Sequence, residues 1–198
     1  MVTSAIAGEG KSYVSINLAR SLVADGKRTL LIECDMRKPC ICSYLELKEP
    51  EYGLSEILTG IDSLKGTIVS KDGLAILPAG SVPDNPTELL GSDRMQKLIQ
   101  LAKDHYDYVI IDTPPAASLA DALALCTYAD GILFVIRQGY ADAEVVEAAQ
   151  EKLNSSGTEL LGAVLTCCKN AVSKSGRYGY GYAYGYGNQS RKNNSLQG

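Results

Sequence analysis

Short runs of uninterrupted apolar residues alternate along the chain with segments of helical period. The runs are Leu30–Ile32, Leu74–Leu77, Tyr108–Ile111, Ile132–Ile136 and Leu161–Leu165. A strand with one wet face would alternate apolar and polar positions. Continuous apolarity predicts strands buried on both faces, as in a parallel sheet. Between the runs the apolar spacing changes to three and four. A helix is predicted from Lys11, with Val14, Leu18 and Leu22 on its inner face, to a stop at Asp25-Gly26. A second opens at Ser92 as N-cap and lines up Met95, Leu98, Ile99 and Ala102. A third runs from Asp142 to Ser156, with Val146, Ala149 and Leu153 inward and Gly157 as its stop. The alternation predicts an α/β fold: a doubly wound, mainly parallel sheet flanked by helices, joined by right-handed crossovers.

The periodic pattern ends near Ser173. Residues 1–172 are expected to form one domain, which suits a chain of 198 residues that is 45% apolar. Residues 173–198 hold glycine, tyrosine, serine and asparagine with hardly an aliphatic side chain, and are expected to be a mobile tail. Charge divides at the same place. The tail carries Lys174, Arg177, Arg191 and Lys192 and no acid, so a net charge of −4 leaves −8 on the body. That balance points to neither nucleic acid nor an anionic membrane surface as a partner. Six cysteines without a CxxC pair, and one histidine, His105, argue against a zinc site and for a reducing cytoplasm. No apolar run approaches the roughly 20 residues of a membrane span, and no secretory leader is visible. Met1–Ser4 reads as the end of a strand, so an N-terminally shortened chain is the expectation.

Two kinds of segment carry candidate chemistry. Ala5-Ile6-Ala7-Gly8-Glu9-Gly10-Lys11-Ser12 matches the phosphate-binding P-loop and leads into an amphipathic helix. Gly8 and Gly10 let backbone N–H groups approach phosphate oxygens, and the helix N-terminus adds positive potential. Lys11 would reach the β and γ oxygens of ATP, and the Ser12 hydroxyl would ligate Mg²⁺. The second kind is an apolar strand ending in acid. Leu30-Leu31-Ile32 runs into Glu33 and Asp35, whose spacing puts both carboxylates on one face of an extended segment, and Val109-Ile110-Ile111 runs into Asp112. Parallel sheets bind ligands at the carboxyl ends of their strands, so three carboxylates and Lys11 are expected to meet at a Mg²⁺ site.

Gly8-Glu9-Gly10-Lys11-Ser12, the acidic pair followed by Arg37-Lys38-Pro39, and Asp112-Thr113-Pro114-Pro115 together resemble the bacterial tyrosine kinases of capsule and exopolysaccharide systems. So do Gly53–Gly60, Leu77–Gly80, Asn85–Leu90 and the cluster Tyr178, Tyr180, Tyr182, Tyr184 and Tyr186. The resemblance implies a P-loop NTPase fold and ATP-dependent autophosphorylation of those five tyrosines. It places Gly8, Glu9, Gly10, Lys11, Ser12 and Tyr13 at the nucleotide, and Ser12, Asp35 and Asp112 at Mg²⁺. Lys11, Glu33, Asp35 and Asp112 would be the catalytic set, with Asp35 and Glu33 both candidates to orient the tyrosine hydroxyl. Arg37 would either dock the incoming tail or pair with an acid on a loop.

The implied partners are neighbouring subunits, phosphorylated in trans, a transmembrane activator of the polysaccharide co-polymerase type, and a tyrosine phosphatase. The implied location is the inner face of the cell membrane, and the implied role is control of polysaccharide synthesis and export. Phosphorylating all five tyrosines would take the tail from +4 to roughly −4 to −6, turning attraction to the acidic body into repulsion. This sequence departs from the family pattern at Glu33, where aspartate is usual, at Ala7 and Tyr13, and at Thr166, near an asparagine position. The family's Glu-x-x-Arg-x-x-Arg assembly helix does not occur in it. A partition-type ATPase shares the fold but carries a lysine where this chain has Ile6. A nucleotide-binding scaffold without kinase activity is the other alternative.

Overall fold

The computed structural model describes residues 1–48, 50–60, 66–116 and 120–168. The tail, its five tyrosines and the expected boundary at residue 172 lie outside the described residues. In chain order the elements are β1 (Val2–Ser4), α1 (Lys11–Ala24), β2 (Thr29–Glu33), α2 (Ile41–Tyr44), α3 (Leu54–Thr59), β3 (Val69–Lys71) and β4 (Leu74–Leu77). They continue with α4 (Pro86–Leu90), α5 (Asp93–His105), β5 (Tyr108–Asp112), α6 (Ala120–Cys126), β6 (Ile132–Arg137), α7 (Ala143–Ser155) and β7 (Leu160–Thr166).

The described strands form one sheet in the order β3-β4-β2-β5-β1-β6-β7, antiparallel only between β3 and β4. Its middle is buried on both faces, as continuous apolarity requires. In β2, Leu30 and Ile32 pack against Met95, Leu98 and Ile99 of α5, while Leu31 between them packs on the opposite side with Ile16 and Ala19 of α1. A third cluster puts Phe134 of β6 with Ala149 and Leu153 of α7. Ser92 caps α5, its Oγ accepting from the Met95 N–H at 3.3 Å.

Two expectations need correction. The stripe of α1 that is fully buried is Ser12, Ser15, Ile16 and Ala19, while Val14, Leu18 and Leu22 are half-buried at its margin. Polar side chains occupy the inner face because the hydroxyls of Ser12 and Ser15 bond the Asp112 carboxylate. The run Leu161–Leu165 belongs to the sheet's edge, not its interior, and Leu161 and Leu165 are 61% and 55% exposed. Apolarity alone does not distinguish a central strand from an apolar edge.

The segments between the motifs lock the β4 end of the sheet. Leu54 and Ser55 donate their N–H groups to Pro78 O and Ala79 O at 2.8 and 2.9 Å. The Glu56 carboxylate accepts from the Gly53 N–H at 2.7 Å, the N3-to-N-cap half of a capping box, and reaches across to the Ser81 N–H at 3.1 Å. Gly53 is pressed so closely into this contact that a Cβ there would lie 2.4 Å from the Gly80 nitrogen and 2.6 Å from Pro78 O. Both neighbours are backbone and cannot turn aside. Gly53→Ala should therefore destabilise the fold by about 3 kcal/mol, read as a lower urea midpoint; an unchanged midpoint would mean this contact is loose.

Candidate active site

The loop from Ala5 to Gly10 joins the carboxyl end of β1 to α1. Gly8 and Gly10 adopt φ of +88° and +96°, which turns successive N–H groups into one concavity. A Cβ on Gly8 would also meet the Tyr140 hydroxyl at 2.6 Å. The loop is held from behind. Glu9 is fully buried, and its carboxylate accepts from Ile6 N at 2.8 Å and Arg137 N at 3.3 Å. Its side chain is therefore turned inward to shape the loop and does not face a ligand. Thr166 Oγ1 donates to Glu9 O at 2.7 Å, and Arg137 donates to Gly8 O at 3.1 Å while lying 4.5 Å above the Tyr140 ring. Arg137 and Tyr140 escaped the sequence reading because they stand about 130 residues from the loop and belong to no motif.

Parallel pairing brings Glu33 opposite Asp112 and delivers both strand ends beside the loop. Lys11 Nζ lies 2.8 Å from Asp35 Oδ2 and 3.4 Å from Ser12 Oγ, with both charged side chains almost fully buried. Asp112 accepts from Ser12 Oγ at 2.7 Å and Ser15 Oγ at 2.8 Å. Burial alone would lower the Lys11 pKa, but Asp112 and Asp35 outweigh it and hold the ammonium above its ordinary value. Burial also holds the Asp112 carboxyl above its ordinary range, against the pull of Lys11 and the two serines.

Glu33 is turned elsewhere. Its carboxylate accepts from the N–H groups of Cys40, Ile41 and, at 3.4 Å, Ala79, anchoring the chain that enters α2. Burial raises its pKa despite those donors. Of the two readings of Arg37, the structure shows the pairing with an acid: Arg37 Nε lies 2.9 Å from Asp121 Oδ2, and Thr87 of α4 also bonds Asp121. Asp121 stands on α6, not on a loop. Tyr13 is exposed at the mouth of the loop.

The side chains at this point suit Mg²⁺. Ser12 and Asp112 offer hard oxygen donors at a single spot, with Asp35 across Lys11. No group of three His, Cys, Asp or Glu among the described residues forms a metal cage by itself. Few protein ligands beside a nucleotide's phosphates is the usual Mg²⁺ arrangement.

A family model described as an AAA domain matches residues 2–156. The tyrosine-protein kinase YwqD of Bacillus subtilis is 40% identical over 181 residues, covering 90% of this chain and 75% of that protein. The tyrosine-protein kinase CpsD of Streptococcus agalactiae is 36% identical, covering 90% of this chain and 79% of its own length. This chain belongs to the bacterial tyrosine-protein kinases. Among solved structures, the kinase domain of the Escherichia coli tyrosine kinase ETK superposes with a TM-score of 0.82 at 36% identity, over 92% of this chain and 72% of that one. The kinase family and its P-loop fold thus agree with the architecture described above.

Proposed function

We propose that this chain uses Mg-ATP to phosphorylate tyrosines, with the tail cluster Tyr178, Tyr180, Tyr182, Tyr184 and Tyr186 as its principal acceptor. The observation that carries this reading is the meeting of Lys11, Asp35, Ser12 and Asp112 beneath the Gly8–Gly10 loop. The loop N–H groups and Lys11 bind and orient the triphosphate, and Tyr13 stands where the nucleoside leaves the loop. Ser12 and Asp112 would hold Mg²⁺, with Asp35 beside them. The ion, when bound, neutralises phosphate charge and polarises the transferring group.

Transfer breaks the bond between the γ-phosphorus and the ADP oxygen and forms one to the tyrosine oxygen. The transition state is loose, so positioning and positive charge do most of the work. Both carboxylates are engaged, but Asp35 is held at the loop by Lys11 whereas Glu33 is turned to the N–H groups of Cys40, Ile41 and Ala79, so Asp35 is assigned the phenol proton. Arg37, tied to Asp121, aligns the loop after β2 with α6.

Kinship with the tyrosine kinases supports the wider reading: a cytoplasmic enzyme held at the inner membrane face by a transmembrane co-polymerase-type activator, acting on neighbouring subunits and reversed by a tyrosine phosphatase. Its output would be regulation of capsular or exopolysaccharide synthesis and export. No helix among the described residues is long and apolar enough to cross a membrane.

A mixing experiment tests transfer between chains. A variant with all five tail tyrosines changed to Phe, incubated with Mg-ATP and a Lys11→Met chain that keeps its tail, should place phosphotyrosine on the Lys11→Met chain. Labelling of the wild type alone, with none in the mixture, would confine transfer to a single chain. Phosphate release without any phosphotyrosine would make the chain an ATPase.

A further inference from the structure

We infer that Tyr13 and Tyr44 form an aromatic platform for the base of the bound nucleotide, so that stacking rather than edge recognition holds the base. This rests on the nucleotide site proposed above. A cleft of about 510 Å³ opens directly from Gly8 and Gly10, so a nucleotide whose phosphates lie on the loop delivers its nucleoside there. Its wall is apolar where Val14, Val164 and Leu165 contribute. Two large aromatic side chains border it from different elements, Tyr13 in the first turn of α1 and Tyr44 at the end of α2, and they are 61% and 60% exposed.

Among the described residues that line the cleft, Thr166 and the exposed Cys167 are the small polar side chains, and the Thr166 hydroxyl is already donated to Glu9 O at 2.7 Å. An apolar slot flanked by exposed rings offers a purine its faces to stack on and, among the described residues, few side chains at its rim to distinguish adenine from guanine. Stacking tolerates any base, because every base has a π-face. The two tyrosines therefore set affinity, and the site discriminates weakly between adenine and guanine nucleotides.

Calorimetric titration with Mg²⁺ and three probes, ADP, GDP and inorganic tripolyphosphate, tests this without turnover. Tyr13→Ala and Tyr44→Ala should each weaken ADP about five- to hundredfold, with Phe at either position restoring most of the loss. Tripolyphosphate, which has no base, should bind all variants alike. ADP and GDP should bind the wild type within about fivefold of each other. Alanine variants that bind ADP within twofold of the wild type would overturn the inference, as would an equal loss for tripolyphosphate, which would place the tyrosines' effect on the loop. A wild type that prefers ADP by a hundredfold would show that the edge is read after all. A wild type that binds none of the three overturns the nucleotide site itself, and this inference with it.

Discussion

Lys11→Met should reduce phosphotyrosine formation by at least about 10²–10³-fold and also lower the melting temperature. The first effect follows from position. Lys11 is the buried cation at the centre of the site, and removing a preorganised positive group from a place where charge develops on phosphate oxygens removes its transition-state stabilisation. The second follows from what is left behind. Asp35 loses its partner at 2.8 Å and Asp112 loses the charge that draws its pKa down, so two buried carboxylates keep hydrogen-bond donors but lose the cation they share. Removing one member of a buried ion pair is expected to destabilise by about 3 kcal/mol. Phosphotyrosine immunoblotting and thermal melting of the same preparation check both parts. A variant that loses activity with an unchanged melt would mean the Lys11–Asp35 pair contributes nothing to folding.

Asp112→Asn should cut activity by at least about 10²-fold while raising the melting temperature of the nucleotide-free protein at neutral pH. Burial holds this carboxyl's folded pKa above its unfolded value near 3.8. The folded state therefore favours the protonated acid. That contribution is fully present below the unfolded pKa and is lost as pH rises through the raised folded pKa, so at neutral pH the ionised group opposes folding. Asparagine keeps the shape and removes the charge, relieving that opposition but withdrawing the carboxylate that would hold Mg²⁺. Melting curves at pH 7.5 and pH 4.5 separate the two: the advantage of the variant should shrink toward the lower pH. Equal advantages at both values would show that the ionisation of Asp112 is not its source. The two substitutions thus impair activity alike and move stability in opposite directions.

Much of this arrangement is legible in the residues themselves. The glycine-rich loop and the acid-terminated apolar runs identify their own neighbours, because parallel strands must present their carboxyl ends on one edge. The capped helix at Ser92 is equally local, announced by one hydroxyl and a four-residue apolar stripe. What escaped the sequence is long-range or depends on side-chain direction. The i, i+2 spacing of Glu33 and Asp35 suggested a shared role, yet the strand ends between them and the chain turns. Asp35 then meets Lys11, while Glu33 serves the N–H groups of Cys40, Ile41 and Ala79. Arg137 and Tyr140 brace the loop through contacts that no local pattern announces. The run at Leu161–Leu165 looked interior because an apolar edge strand has the same composition as a central one. Ser15 belongs to no motif and went unread, yet its hydroxyl joins that of Ser12 on the buried Asp112 carboxylate.

The most direct measurement is the fate of the γ-phosphate. Wild-type protein is incubated with γ-labelled ATP and Mg²⁺, quenched over time, and separated into nucleotide, inorganic phosphate and protein-bound label, the last mapped by mass spectrometry. Label should pass from ATP to tyrosine, concentrated between Tyr178 and Tyr186, and should vanish from protein when Mg²⁺ is chelated. Label that stays in ATP, or appears only as inorganic phosphate, would contradict a site built to hand phosphate to tyrosine.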